Sequence, residues 1–292
     1  MSTVDELAPV VVHDSGRESR RERLRVILRS KTFLAGTVIV GIWVFCALFG
    51  PLVVPDDPYA DDILGKLQPP SAEHWFGTDR LGRDVFSRVV VGARDILVVA
   101  PLAALLGTVL GTALGLVTGY FRGLTDDVIM RIVDAFLAVP VVVIGLVALT
   151  ALGPSRVTVV LVIGIVFTPI IARTVRAAVL AERDLEYVEA ARLRNESAGY
   201  VLGGEILPNV LGPVLVEFTV RIGYAIFAIA TLSFLGFGIQ PPAPDWGLQI
   251  FEHYGLLSAG DWWPTLFPAL AIATLVVGVN LIADGLTQAF ER

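Results

Sequence analysis

Between two long apolar stretches lies a charged segment, residues 173–205, whose centre reads Glu189-Ala190-Ala191-Arg192-Leu193-Arg194-Asn195 and which runs on to Ile206-Leu207-Pro208-Asn209. The chemistry these residues can do is recognition. Ala190 and Ala191 carry almost no side chain, so a second surface can approach them, and Glu189 beside them can pair with a partner's cation. The plainer reading is that Glu189 pairs with Arg192 three residues on, a contact worth a few tenths of a kcal/mol. A second pair, Glu217 and Arg221, sits one helical turn apart inside an apolar run. Charges there are costly, so they either pair with each other or face a polar path through the membrane. A third group, Asp79, Arg80, Arg83 and Asp84, lies in a polar loop and is either a contact for an external partner or a self-capped, salt-bridged turn.

Several chemistries lack their parts. Lysine occurs only at 31 and 66, and Gly65-Lys66 is followed by Leu67, so no phosphate-cradling Gly-x-x-x-x-Gly-Lys-Ser/Thr loop exists. Histidine occurs at 13, 74 and 253, none inside an apolar run, which argues against a metal centre or a Ser/His hydrolase. The single cysteine, Cys46, cannot form a disulfide within the chain and reads as a small apolar filler.

The elements that must position these groups are set by hydropathy. The 292 residues are 55% hydrophobic, with mean hydropathy +0.73. A hydrocarbon layer of ~30 Å needs ~20 apolar residues as helix. Six runs meet or approach this: 33–54, 96–121, 135–152, 157–172, 206–239 and 262–283. The fourth is the shortest and must borrow flanking residues. The chain therefore divides into a basic N-terminal arm (1–32), a first span (33–54), a loop (55–95) and a five-helix core (96–292) carrying the segment 173–205. If the N-terminus is cytoplasmic, the inner segments hold 15 Lys/Arg and the outer ones six. That asymmetry places both termini and 173–205 in the cytoplasm, with 55–95 and 236–261 outside. Seven of the inner cations fall between Arg17 and Lys31, where they fit anionic lipid better than nucleic acid.

Local signals add detail. Thr78 or Asp79 is expected to cap a short loop helix, and Thr125 or Asp126 the third span, with Pro140 kinking it. Gly107, Gly111, Gly115 and Gly119 fall on one helix face, which allows a second backbone to come close. The plainer reading is packing inside this subunit; the sharper is a moving interface. A helix is expected over 177–194, ending at a left-handed Asn195. A short helix over 197–204 would then lie across the membrane before Pro208 restarts the chain. Trp262 and Trp263 are expected at the outer membrane surface, with the prolines around Trp246 ordering an outer loop.

Glu189-Ala190-Ala191, then Asn195 and Leu207-Pro208, resemble the Glu-Ala-Ala loop of importer permeases of the ATP-binding-cassette class. Asn195 replaces the family's usual Gly, and Gly204 stands where a basic residue is common. The run from Phe76 to Asp84 resembles the outer-loop signature of the dipeptide/oligopeptide/nickel permeases. The segments Leu232–Gly238, Pro241-Pro242, Trp246-Gly247 and Asn280–Leu286 resemble their later motifs, and together these point to the second, C-type permease of a pair. Ile229 departs from an acidic position expected in many members. The resemblance implies an all-α, six-span, type I importer permease of a bacterial inner membrane that makes half of a pathway. It implies that Glu189, Ala190, Ala191, Asn195, Leu207 and Pro208 couple to the motor. Read from the residues themselves, Glu217 and Arg221 either line the path or form an internal ion pair, and Asp79, Arg80, Arg83, Asp84 and Trp246 either meet a binding protein or belong to a self-contained outer loop.

The implied partners are a homologous permease, two ATPase subunits, an extracytoplasmic substrate-binding protein, a peptide and membrane lipid. ATP and Mg would reside on the partners, with no cofactor here. Nickel, glutathione or another small solute remain alternative cargoes. In another class, a secondary transporter would use Glu217 and Arg221 as an ion site.

Overall fold

A computed structural model describes residues 30–290, so most of the basic N-terminal arm lies outside the described residues. These residues are helical throughout apart from loops and one isolated bridge, Thr78–Asp84. The helices are α1 (Lys31–Val53), α2 (Val85–Phe121), α3 (Leu124–Leu137), α4 (Val141–Leu152) and α5 (Arg156–Glu182). They continue with α6 (Glu186–Leu193), α7 (Ala198–Phe234), α8 (Trp246–His253) and α9 (Trp263–Phe290). Five are long and apolar enough to cross a membrane, and α3 with α4 make a sixth span bent by 86°. Backbone polar groups cannot be left open in lipid, and apart from the break at 138–140 the longer irregular segments lie at the two ends of the bundle. One end carries residues 54–84 and 235–262, hereafter the loop end; the other carries 183–197, the arm end.

The central contact is α2 against α5. Gly107, Gly111, Gly115 and Gly119 present bare backbone to α5. A Cβ at Gly111 would lie 2.6 Å from the Cβ of Ile171, and one at Gly119 would lie 2.7 Å from that of Val179. The glycine stripe is therefore packing within this subunit. In α5, 56% of the most apolar window is buried, against 11% in α1. So α5 is central, while α1 lies at the periphery against α9. There Gly36 sits under Gly278 O, and the Trp43 indole donates to Thr274 Oγ1 at 3.2 Å.

Four boundaries differ from those the sequence predicts, each for a local reason. First, α2 begins at Val85 rather than in the apolar run, because Asp84 Oδ2 accepts from Ser87 N at 2.7 Å and is its N-cap. Neither Thr78 nor Asp79 caps a helix. Asp79 instead closes a turn, accepting from Leu81 N at 2.8 Å and Arg83 N at 3.1 Å. Second, α3 starts after Gly123 with no side-chain cap. The Asp126 carboxylate is taken by Arg176 of α5 in a two-pronged pair at 2.6 and 2.5 Å. Asp134 pairs likewise with Arg173. Pro140 does bend the third span, as expected. Third, the helix predicted over 177–194 breaks at 183–185, separating α5 from α6.

Fourth, Pro208 sits in the first turn of the α-helical stretch Leu207–Phe234, as expected, but no separate short helix lies before it. A π-helical turn, Val201–Ile206, carries α7 continuously from Ala198 to Phe234. Proline cannot donate to the carbonyl four residues back and its ring crowds that carbonyl. The wider π turn just before it takes up both defects.

The loop end is a folded lid built on buried polar groups. Trp263, expected at the membrane surface, is buried and its indole donates to Thr78 O at 2.9 Å. Trp246 is also buried and donates to Val89 O at 2.8 Å, fastening α8 to α2. Asp245 caps α8 through Leu248 N at 2.9 Å. Its Oδ2 has no hydrogen-bond partner among the described residues, and burial pushes this carboxyl up to about 6.

Two outcomes follow. Gly111→Val is expected to lower the unfolding midpoint of the detergent-purified protein, at a cost of about 1–3 kcal/mol for overpacking. Gly41→Val is expected to be neutral, since a Cβ at Gly41 meets nothing within 4 Å. Asp245→Asn keeps the cap acceptor. Because the folded carboxyl holds its proton up to about 6, its burial costs nothing below the ordinary carboxylate range. The cost grows through that window and is complete above it. The Asn variant is therefore expected to be more stable at pH 7.5, by on the order of 3 kcal/mol, and unchanged at pH 4. Thermal unfolding at the two pH values measures this.

Candidate functional site

The arm is a short helix fixed at both ends. Glu186 and Glu189 lie in the first turn of α6, where the helix dipole favours negative charge. Tyr187 Oη donates to Glu182 Oε2 at 2.7 Å, tying α6 back to α5. Burial and that carboxylate push the phenol up to about 12. At the other end Asn195 takes φ +57. Its N–H donates to Arg192 O at 2.9 Å, and Glu196 N donates to Ala191 O at 3.2 Å. These are the paired bonds of a Schellman stop, so Asn supplies the left-handed residue where Gly is commoner. Ser197 then caps the next helix through Tyr200 N at 3.2 Å, and Arg194 reaches Glu205 Oε1 at 3.3 Å across the bend.

Which face points outward differs from the sequence reading in one respect. Consecutive helix residues are ~100° apart, so the two alanines cannot share a face. Ala191 is buried with Val188, Val201 and Ile206 in the core cluster, whereas Ala190 is exposed. Glu189 is exposed too and makes no ion pair among the described residues. Arg192, its expected partner, instead lies over the Tyr120 ring at 5.0 Å. The open face is Glu186, Glu189, Ala190 and Leu193, with Leu193 84% exposed at the tip. Leu193 was missed by the sequence reading; a bare leucine between two arginines in a polar segment was the available signal. Leu207 is half-buried and Pro208 exposed, both beyond the π turn.

The other candidates are placed apart from the arm. Glu217 and Arg221 pair within α7, Oε1 to Nε at 2.7 Å and to Nη2 at 2.6 Å. Their side chains are 12% and 13% exposed. The guanidinium also lies over the rings of Tyr224 at 5.0 Å and Phe167 at 5.9 Å. The ion pair closes along one helix, and its guanidinium reaches α5 only through the Phe167 ring.

At the loop end Asp79, Arg83, Asp84 and Trp246 are buried, so they present no free surface to a binding protein; Arg80 alone of that group is exposed. Asp79 Oδ2 is the hub. It takes Arg83 Nε at 2.7 Å, with Arg88 Nε and His253 Nε2 each at 3.8 Å. Burial holds the His253 ring below its usual range. The short sequence separation of Asp79 and Arg83 hid this reach to α8. Asp56, His74 and Asp84 bring three metal-type ligand atoms within 4.8 Å of one another, a grouping the sequence reading did not find. His74 Nδ1 is hydrogen-bonded to Asp84 Oδ1 at 3.1 Å while Asp84 Oδ2 caps α2, so these groups satisfy one another.

Comparison with known proteins agrees with this architecture. Residues 20–70 match the N-terminal transmembrane domain of oligopeptide transport permease C. A dipeptide transport system permease protein of Alkalihalophilus pseudofirmus is 37% identical over 271 residues, covering 93% of this chain and 89% of the relative. A di/tripeptide transport system permease protein of Pseudomonas aeruginosa is 35% identical, covering 90% and 88%. A glutathione transport system permease protein of Pectobacterium atrosepticum is 36% identical, covering 97% and 94%. With residues 111–292 matching its profile, the chain belongs to the family of binding-protein-dependent transport system inner membrane components.

Proposed function

We propose that this chain is the permease half of an ATP-driven importer of di- or oligopeptides, and that its arm docks an ATPase subunit. The observation that carries the docking is the open face of α6. A bare leucine rimmed by Glu186 and Glu189, beside the small Ala190, stands on a helix locked by a Schellman bend and tied at both ends to spans. The partner surface that fits is an apolar pocket with cations at its rim. In this reading the arm end, with both termini, is cytoplasmic and the loop end extracytoplasmic, where a substrate-binding protein delivers cargo. A homologous permease supplies the other half of the pathway, and ATP and Mg belong to the two ATPase subunits. The segment 173–205 is the coupling unit of the 96–292 core.

Peptide cargo is supported by relatives named for dipeptide, di/tripeptide and glutathione transport. Glutathione, nickel or another small solute is tested alongside. A secondary transporter gains little support, because its candidate site, Glu217, is already neutralised by Arg221. Driving the bundle from 1:99 to 99:1 between two states takes ~5.5 kcal/mol of differential stabilisation, which the docked motor must supply.

In membranes carrying the whole complex, Glu189→Lys is expected to abolish peptide uptake and its coupling to ATP hydrolysis while the chain still inserts. Normal uptake with normal ATPase stimulation would overturn the docking. Leu193→Ala is expected to weaken retention of the ATPase subunits by about tenfold or more, as for a central interface anchor. Quantifying co-purified ATPase per permease checks this. Uptake of labelled dipeptide, glutathione and nickel by the same vesicles ranks the cargoes.

A further inference from the structure

The arm end contains a second constellation that the docking face does not use. Helix α2 ends at Phe121, so its last carbonyls have no intrahelical donor and carry the negative end of the helix dipole. Arg183 lies at the break between α5 and α6. Its Nη1 donates to Tyr120 O at 2.5 Å and to Gly119 O at 3.3 Å. Its Nε holds Asp184 Oδ1 at 2.9 Å, and Asp184 Oδ2 accepts from Arg122 Nη2 at 3.3 Å. From the far side of the same break, the Arg192 guanidinium lies 5.0 Å from the centroid of the Tyr120 ring. One residue is therefore held twice, by its carbonyl from the break and by its ring from the arm. The closure of α6 does not need these contacts, since Tyr187–Glu182 and the bend at Asn195 already fix it.

The far end of the same helix is fastened to the loop end. Arg88 Nη1 donates to Pro58 O at 3.0 Å, and Val89 O accepts the Trp246 indole at 2.8 Å. Between these ends α2 runs unbroken for 37 residues, with Pro101 inside it, a span of roughly 55 Å. A displacement delivered at Tyr120 reaches the lid through one helix, without passing through the covalent links of the arm to α5 and α7.

We propose that Tyr120 is the point at which movement of the arm enters α2, with Arg192 as the moving contact and Arg183 as the anchored one, so that the loop end follows the docked ATPase. This rests on the docking reading above. Arg183, Tyr120 and Arg192 are positioning residues: they touch neither cargo nor nucleotide.

The test uses the whole complex in vesicles. Tyr120→Leu and Arg192→Gln are expected to retain co-purifying ATPase subunits and their basal hydrolysis, yet move about tenfold less peptide per ATP, the scale of a lost, partly desolvated cation–π contact. Tyr120→Phe and Arg192→Lys preserve ring and charge and are expected to stay within about twofold of the parent. Wild-type stoichiometry in Arg192→Gln overturns the relay, and that variant carries the test even where Tyr120→Leu fails to accumulate.

A second readout is thiol labelling beside the loop end at Arg94, an exposed position near the start of α2, with Arg94→Cys in a Cys46→Ser background. Its rate is expected to change on ATP trapping with Tyr120 or Phe at position 120, and not with Arg192→Gln. A rate indifferent to ATP in the parent, or one that still responds in Arg192→Gln, overturns the relay. A parent complex that holds no ATPase overturns the docking reading itself, whereas retained ATPase with unaltered coupling in these variants sinks only the relay.

Discussion

Everything in this fold depends on the dry, close contact between α2 and α5. In lipid there is no water to expel between helices, so association rests on packing and on how near two backbones can come. Gly107, Gly111, Gly115 and Gly119 remove the side chains that would hold α5 off. The cost is that the pair has almost no freedom to slide, because Ile171, Val175 and Val179 sit where any added carbon would go. The two helices are thus packed backbone to backbone, with the folded lid at one end and the arm at the other.

Polar chemistry is pushed to the ends of that body and organised there in opposite ways. At the loop end the charges turn inward: Asp79, Arg83 and Arg88 are buried together beside the His253 ring, and two indoles hand their N–H groups to backbone carbonyls. The lid is fastened by the Asp79–Arg83 pair and the two indole donors, while Asp245 Oδ2, Arg88 Nε and His253 Nε2 are buried without a hydrogen-bond partner among the described residues. At the arm end the charges turn outward. Glu186 and Glu189 face solvent, and Arg183 and Arg192 go to the end of α2 instead of pairing along α6. One end is closed on itself and the other leaves a helix face open.

Glu217 and Arg221 show how little an intramembrane charge pair says by itself. One turn apart on α7, they cancel each other, and the Arg221 guanidinium lies over the rings of Tyr224 and Phe167. The energetic rule requires only that such charges find a partner, and the nearest partner is on the same helix. A path-lining role would need a second reason that this geometry does not provide.

The sequence by itself determined the lipid-crossing runs, the bend at Pro140, the left-handed stop at Asn195 and the glycine face of α2. Each of these follows from chain-local physics: hydropathy, the missing N–H of proline, the tolerance of Asn for positive φ, and a spacing of four. It also carried, through its motifs, the family. Only the tertiary structure decided that Asp84 and not Asp79 caps α2, that Asp126 serves Arg176 rather than its own helix, and that Ala191 turns inward. It also decided that Arg192 chooses Tyr120 over Glu189. For Asp126 and Arg192 a local partner was available and a distant one was better placed. Which of the two wins depends on which surfaces the helices bring within 3 to 5 Å, a distance scale set by packing and not written in the spacing of residues along the chain.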